Sequence, residues 1–188
     1  MNKYINHPKC IAVGECGLDY FRLPEDEHEK IENIKKQKEV FIAQIEFAKK
    51  VKKPLIIHIR EASNDSREIL INHDAKQVGG VLHCYNASEH LLPLSEHNFY
   101  FGIGGVLTFK NAKKLVEVLP KIPKDKLIIE TDAPYLTPHP HRGERNEPYY
   151  TVFVAQKMAE LLEFSETQIQ ELTTNNAKKL FKEFSSLS

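Results

Sequence analysis

Five short apolar runs, spaced widely enough for a helix or a long turn between each and the next, constrain the fold of this chain more than any other feature. They are Cys10–Gly14, Pro54–His58, Gly79–His83, Tyr100–Gly104 and Leu127–Glu130. Within each run the apolar residues are nearly continuous, not alternating. That is the pattern of strands buried on both faces of a parallel sheet. Parallel neighbours need a long crossover, usually helical, and the intervening segments have helical periodicity. After Pro24, the residues Ile31, Ile34, Phe41, Ile45, Ala48 and Val51 recur at steps that put them on one helical face. Asp65–Asn72 and Asn111–Leu119 read as shorter helices, the second closed by Pro120. Glu147-Pro148 reads as a helix start, followed by a stripe of Val154, Met158, Leu161 and Leu162. Ser165 with Gln168 reads as a capping box, and Asn175–Phe184 puts Leu180, Phe181 and Phe184 on one apolar side.

Strand–helix alternation of this kind predicts an α/β fold. A TIM-type (β/α) barrel of eight such units takes roughly 250 residues, whereas this chain has 188 residues and five units. The expectation is therefore a single, incomplete barrel domain over residues 1–188, with about five of the eight β/α units present. Such an open sheet exposes edges that invite self-association. Either the protein begins further upstream, or the chain completes itself by pairing with another copy.

Composition narrows the function classes. No stretch reaches the ~18 apolar residues of a membrane span, and the amino terminus lacks the apolar core of a signal peptide. A cytoplasmic protein without a membrane partner is expected. The three cysteines form no CxxC pair, which argues against a disulfide framework or a cysteine-rich zinc site. Twenty-six acidic and 26 basic residues cancel. A nucleic-acid partner would therefore be gripped locally, through metal ions, and not by a broad basic face.

The chemistry collects where α/β folds put it, at the carboxyl ends of strands. The first run ends at Glu15, the second at His58, the third at His83, and the fifth is followed by Asp132. One histidine at a strand end is more often structural, and one carboxylate there often only caps the next helix. Four ligand-type residues at four strand ends point instead to a divalent cation. The fourth run offers Gly102, Gly104 and Gly105 instead, which implies room for a substrate.

Six ordered segments then carry a resemblance. Gly14–Tyr20 (GECGLDY) is similar to the GExGLDYY signature of TatD-family metal-dependent hydrolases, within the amidohydrolase superfamily. Ile57–Ala62 resembles the family's IHxRxA segment, His83–Tyr85 its HCF, Gly104–Phe109 its SGxxTF, Glu130–Leu136 its ETDxPYL, and Arg142–Pro148 its RGxRNEP. The resemblance implies a TatD-type deoxyribonuclease. In it a metal-activated water attacks phosphodiesters of single-stranded DNA or RNA, trimming from an end. It implies two divalent ions (Mg, Mn or Zn), with Glu15 bridging, His58 and His83 as ligands, and Asp132 as ligand and general base. Arg60, Arg142 and Tyr85 would contact phosphate or substrate, and Asp19 and Glu130 would orient their neighbours. The RNEP run is read as chiefly structural. Tyr20, Phe21, Tyr85 and Tyr135 are candidates for stacking on bases. The family's HxH pair on its first strand has no counterpart here. His139-Pro140-His141 matches it in letters only, in a proline-rich loop, and the other histidines read as surface or loop residues. The alternatives are a catalytically incomplete fragment or scaffold, and an esterase of the D-aminoacyl-tRNA deacylase type.

Overall fold

The computed structural model describes residues 4–182. Five strands, β1 (Val13–Asp19), β2 (Leu55–Arg60), β3 (Gly80–Leu82), β4 (Phe99–Ile103) and β5 (Leu127–Ile129), form one sheet in sequence order. All neighbouring pairs are parallel. Helices α1 (Glu27–Val51), α2 (Ser63–Asn72), α3 (Lys113–Val118), α4 (Thr151–Leu162) and α5 (Glu166–Leu180) connect or follow the strands. Where a helix is lacking, between β3 and β4, a 3-10 segment over Glu89–His97 containing Pro93 makes the crossover. Among the described residues the sheet does not close into a barrel, and no helix is long and apolar enough to cross a membrane.

Strand side chains alternate between faces, which divides the apolar residues into two clusters. Leu55, Ile57, Leu82, Phe99, Phe101, Ile103 and Leu127 face the helices and pack with Phe41, Ile45 and Ala48 of α1 and with Val154 and Met158 of α4. Each large side chain buried there stabilises the fold by about 1.5–3 kcal/mol. The other face carries Ile56, Val81, Tyr100 and Ile128, and the end of α5 covers it with Ala177, Leu180 and Phe181. The predicted partner Phe184 lies outside the described residues. Asn176 fixes α5 beneath the sheet by donating to the carbonyls of Lys124 and Leu127 at 2.8 and 2.9 Å. The capping box forms as predicted, with Gln168 N donating to Ser165 Oγ and Ser165 N to the Gln168 side chain.

Two expectations change. The predicted stripe of α1 is buried only in its second half, and Ile31 is 60% exposed. The 25 residues of α1 span ~38 Å, while the seven of β1 span only ~23 Å, so the start of the helix overhangs the sheet. The first strand is Val13–Asp19 and not Cys10–Gly14. Glycine and glutamate ended the apolar run in the sequence, but Cys16 and Leu18 are the buried residues of an alternating strand that continues past them.

Candidate metal centre

Glu15 owes its position to an irregularity in β1. From Val13 to Cys16 the strand takes three steps while β2 takes two, from Leu55 to Ile57. The extra residue is a bulge, a device that re-aims side chains. Gly17, at φ 138°, continues the strand in a conformation that favours glycine, and a Cβ there would collide with the backbone of His58. The two strands therefore approach closely just where Glu15 and His58 meet.

Each candidate histidine stands between two carboxylates. His58 Nδ1 lies 3.0 Å from Glu15 Oε1, and its Nε2 lies 3.1 Å from Asp19 Oδ2. His83 Nε2 lies 3.3 Å from Asp132 Oδ1, and its Nδ1 faces Glu130 Oε2. A carboxylate only accepts, so each of these contacts is a hydrogen bond only while that nitrogen carries a proton. The His83 imidazolium is accordingly favoured up to about pH 9, first by the hydrogen-bonding contact with Glu130; partial burial opposes this, and the charges of Glu130 and Glu15 and the hydrogen bond to Asp132 add to it.

Glu130 is the most enclosed of these carboxylates. Its oxygens are buried, and neither makes a well-formed hydrogen bond; the Oε2 approach to His83 is an ion pair. It folds back against the sheet because Gly102 and Gly104 lack side chains, and a Cβ on Gly102 would come within 3.0 Å of the Glu130 side chain. This corrects the expectation that those glycines leave room for a substrate. The space they create holds Glu130.

Glu15, His58, His83 and Asp132 all line one cavity of about 470 Å³, together with Arg60, Tyr135 and Asn86. A larger hollow of about 520 Å³ between β5, α4 and α5 contains none of the candidates. Among the described residues no three His, Cys, Asp or Glu side chains stand ready-made around one ion; the donors are arranged as two pairs, Glu15 beside His58 and Asp132 beside His83. Their chemistry nevertheless fits a divalent cation. Four carboxylates surround two imidazoles in a partly buried pocket, an excess of negative charge that a cation would neutralise. Each ring also has one nitrogen toward an outer carboxylate, Asp19 for His58 and Glu130 for His83, the kind of partner that holds a metal-ligating histidine in place.

The remaining predicted residues divide. Arg60 lines the cavity. Arg142 does not; its guanidinium lies 4.0 Å from the Phe109 ring centroid and donates to Thr137 O at 3.2 Å. Tyr85 is corrected. It is 5% exposed, its hydroxyl donates to Ser88 O at 2.8 Å, and its ring packs edge-on to Phe101. Its side chain packs in the core beneath the loop and is not part of the cavity lining. Tyr20 donates to Asp65 Oδ2 at 2.7 Å, whereas Phe21 and Tyr135 are exposed. His141 stacks on Tyr150 and meets Glu144, away from the cavity.

Asn146 has a larger role than its motif alone indicates. Buried within the chain, it donates to Tyr135 O at 2.6 Å and Thr131 Oγ1 at 3.1 Å, and its own N–H bonds Pro134 O at 3.0 Å. It thereby braces the loop that carries Asp132.

A family model described as TatD related DNase matches residues 1–182. The chain belongs to that family. It is 48% identical over 179 residues to the uncharacterized metal-dependent hydrolase YabD of Bacillus subtilis, covering 94% of this chain and 67% of the relative. It is 38% identical over 172 residues to the uncharacterized metal-dependent hydrolase YcfH of Escherichia coli, covering 91% of this chain and 62% of that one. The crystal structure of a TatD homolog from E. coli, YJJV, superposes with a TM-score of 0.81 at 28% identity, over 92% of this chain and 64% of the other. A TatD family hydrolase structure from Entamoeba histolytica, at 22% identity and a TM-score of 0.71, shares the fold. This TatD-family chain thus spans about two thirds of the length of the relatives it matches.

Proposed function

We propose that this chain carries much of the active site of a divalent-metal-dependent hydrolase that cleaves phosphodiesters in nucleic acid, removing nucleotides from an end. The observation that carries the proposal is the convergence on one cavity of Glu15 within β1, His58 within β2, His83 just after β3 and Asp132 in the loop after β5. The names of the relatives, metal-dependent hydrolases and a DNase family, support the reaction class.

Two ions are proposed, Mg²⁺, Mn²⁺ or Zn²⁺, which Glu15, His58, His83 and Asp132 would hold. When bound, such ions polarise a phosphodiester oxygen and lower the pKa of water toward 7. His58 would ligate through Nδ1 while Nε2–H donates to Asp19. His83 would ligate through Nε2 while Nδ1–H donates to Glu130. The outer carboxylates thus select the tautomer that leaves an inward lone pair. Asp132 would take the proton of the attacking water as general base, on a loop held in place by Asn146. Arg60 would hold the phosphate from the rim of the cavity.

The test is cleavage of end-labelled single-stranded DNA with Mg²⁺ or Mn²⁺. The expected result is a ladder shortened one nucleotide at a time, abolished by a chelator and by Asp132→Asn. An absence of cleavage, or cleavage that survives either control, would contradict the proposal.

A further inference from the structure

Phe21 is a large apolar side chain left 44% exposed beside a polar centre. It stands two residues beyond β1, and its N–H donates to Asp19 Oδ1 at 2.9 Å. Asp19 also faces His58, so the ring is tied to the same strand end as the candidate ligands. Arg60 is the last residue of β2, opposite Asp19 in the ladder. Its guanidinium carbon lies 3.5 Å from the Phe21 ring centroid, a close stack, and Arg22 approaches the same ring at 5.7 Å. Neither arginine has a carboxylate partner among the described residues. Arg60 lines the cavity, whereas Phe21 lies outside it. The pair therefore leads from the cavity to the open surface.

We propose that Phe21 and Arg60 form a subsite for single-stranded nucleic acid. One base stacks at the Phe21–Arg60 pair, and the guanidinium takes the phosphate that joins this base to the nucleotide held in the cavity. The inference rests on the nucleic-acid reading above and adds how the substrate is recognised. Stacking reads any base, because each has a π-face, but it requires a base that is not already stacked in a duplex. It also supplies a local grip in a chain whose net charge is zero.

The experiment measures binding, not turnover. A fluorescently labelled single-stranded oligonucleotide is titrated with the full chain in the presence of a chelator, and fluorescence anisotropy is recorded. Three proteins are compared, wild type, Phe21→Leu and Phe21→Trp, on an ordinary strand and on an abasic strand of equal length and charge. Loss of one stack predicts a ~5- to 100-fold rise in Kd for Phe21→Leu on the ordinary strand, restored by Phe21→Trp. On the abasic strand wild type and Phe21→Leu should bind alike, since there is no base to stack. No binding by wild type, an unchanged Kd for Phe21→Leu, or an equal loss on both strands would overturn the proposal. Binding of this pattern without hydrolysis would instead sink the nuclease reading and leave the subsite standing. Hydrolysis with an unaffected Phe21→Leu would do the reverse.

Discussion

The outer carboxylate behind each histidine decides what its ring can donate. Glu130 is the stronger case, because it is enclosed and the glycines of β4 make room for it. Glu130→Gln keeps the shape but weakens the acceptor for the His83 Nδ1–H. Losses at such outer positions typically cost 10- to 100-fold in metal affinity. The expected outcome is a Mn²⁺ affinity ~10- to 100-fold weaker with an unchanged circular dichroism spectrum; equal affinity would show that Glu130 does not position His83. At this scale the sequence was informative about which residues to bring together. Glu15, His58, His83 and Asp132 could be picked out as ligand types at or just after the ends of apolar runs, and all four line the cavity. Tyr85 could not be judged, because whether a tyrosine faces substrate or core depends on which way its loop turns. The same holds for Gly102 and Gly104, whose missing side chains accommodate a carboxylate 26 or more positions further along the chain.

Among the elements, a small polar network joins α1, α2 and the turn after β1. Lys38 Nζ and Tyr20 Oη both reach Asp65 Oδ2 at 2.7 Å. Partial burial would raise the Asp65 carboxyl, but the hydrogen bonds from Lys38 and Tyr20 outweigh it and hold the pKa below the usual carboxylate range. A depressed pKa contributes stability above the unfolded carboxylate value, and that stability is lost as pH falls through the folded one. Asp65→Asn should therefore lower the melting temperature at pH 7, and the gap from wild type should narrow steadily at acid pH. A gap independent of pH would contradict the network. The two side chains keep about a third of their surface exposed, so solvent screening leaves the effect modest. Element type was legible from period and punctuation: the parallel strands, the capping box at Ser165 and the second half of α1 all appear as read. Element boundaries were not. The extent of β1 depends on its pairing with β2 and on the bulge at Gly14 and Glu15, information that lies in the partner strand.

For the whole molecule, the decisive property is that five parallel strands in sequential order leave β1 and β5 with one neighbour each. Exposed strand edges carry unpaired N–H and C=O groups and favour association. The chain is expected to sediment as concentration-dependent oligomers in analytical ultracentrifugation. A sharp monomer at all concentrations would show that the edges are masked. The incomplete barrel was legible from the count of β/α units against the number an eight-unit barrel requires. The covering of the second sheet face by Ala177, Leu180 and Phe181 was not, because an apolar helix end does not say which surface it will meet.

Glu15, His58, His83 and Asp132 are proposed to form one cation centre. The most direct measurement is a Mn²⁺ titration of the purified chain, following the electron paramagnetic resonance signal of the free ion, for wild type and for Glu15→Gln, His58→Ala, His83→Ala and Asp132→Asn. The expected result is at least one Mn²⁺ bound per wild-type chain and a marked loss of affinity in all four variants. Wild-type affinity in these variants, or no binding by the wild type, would contradict it.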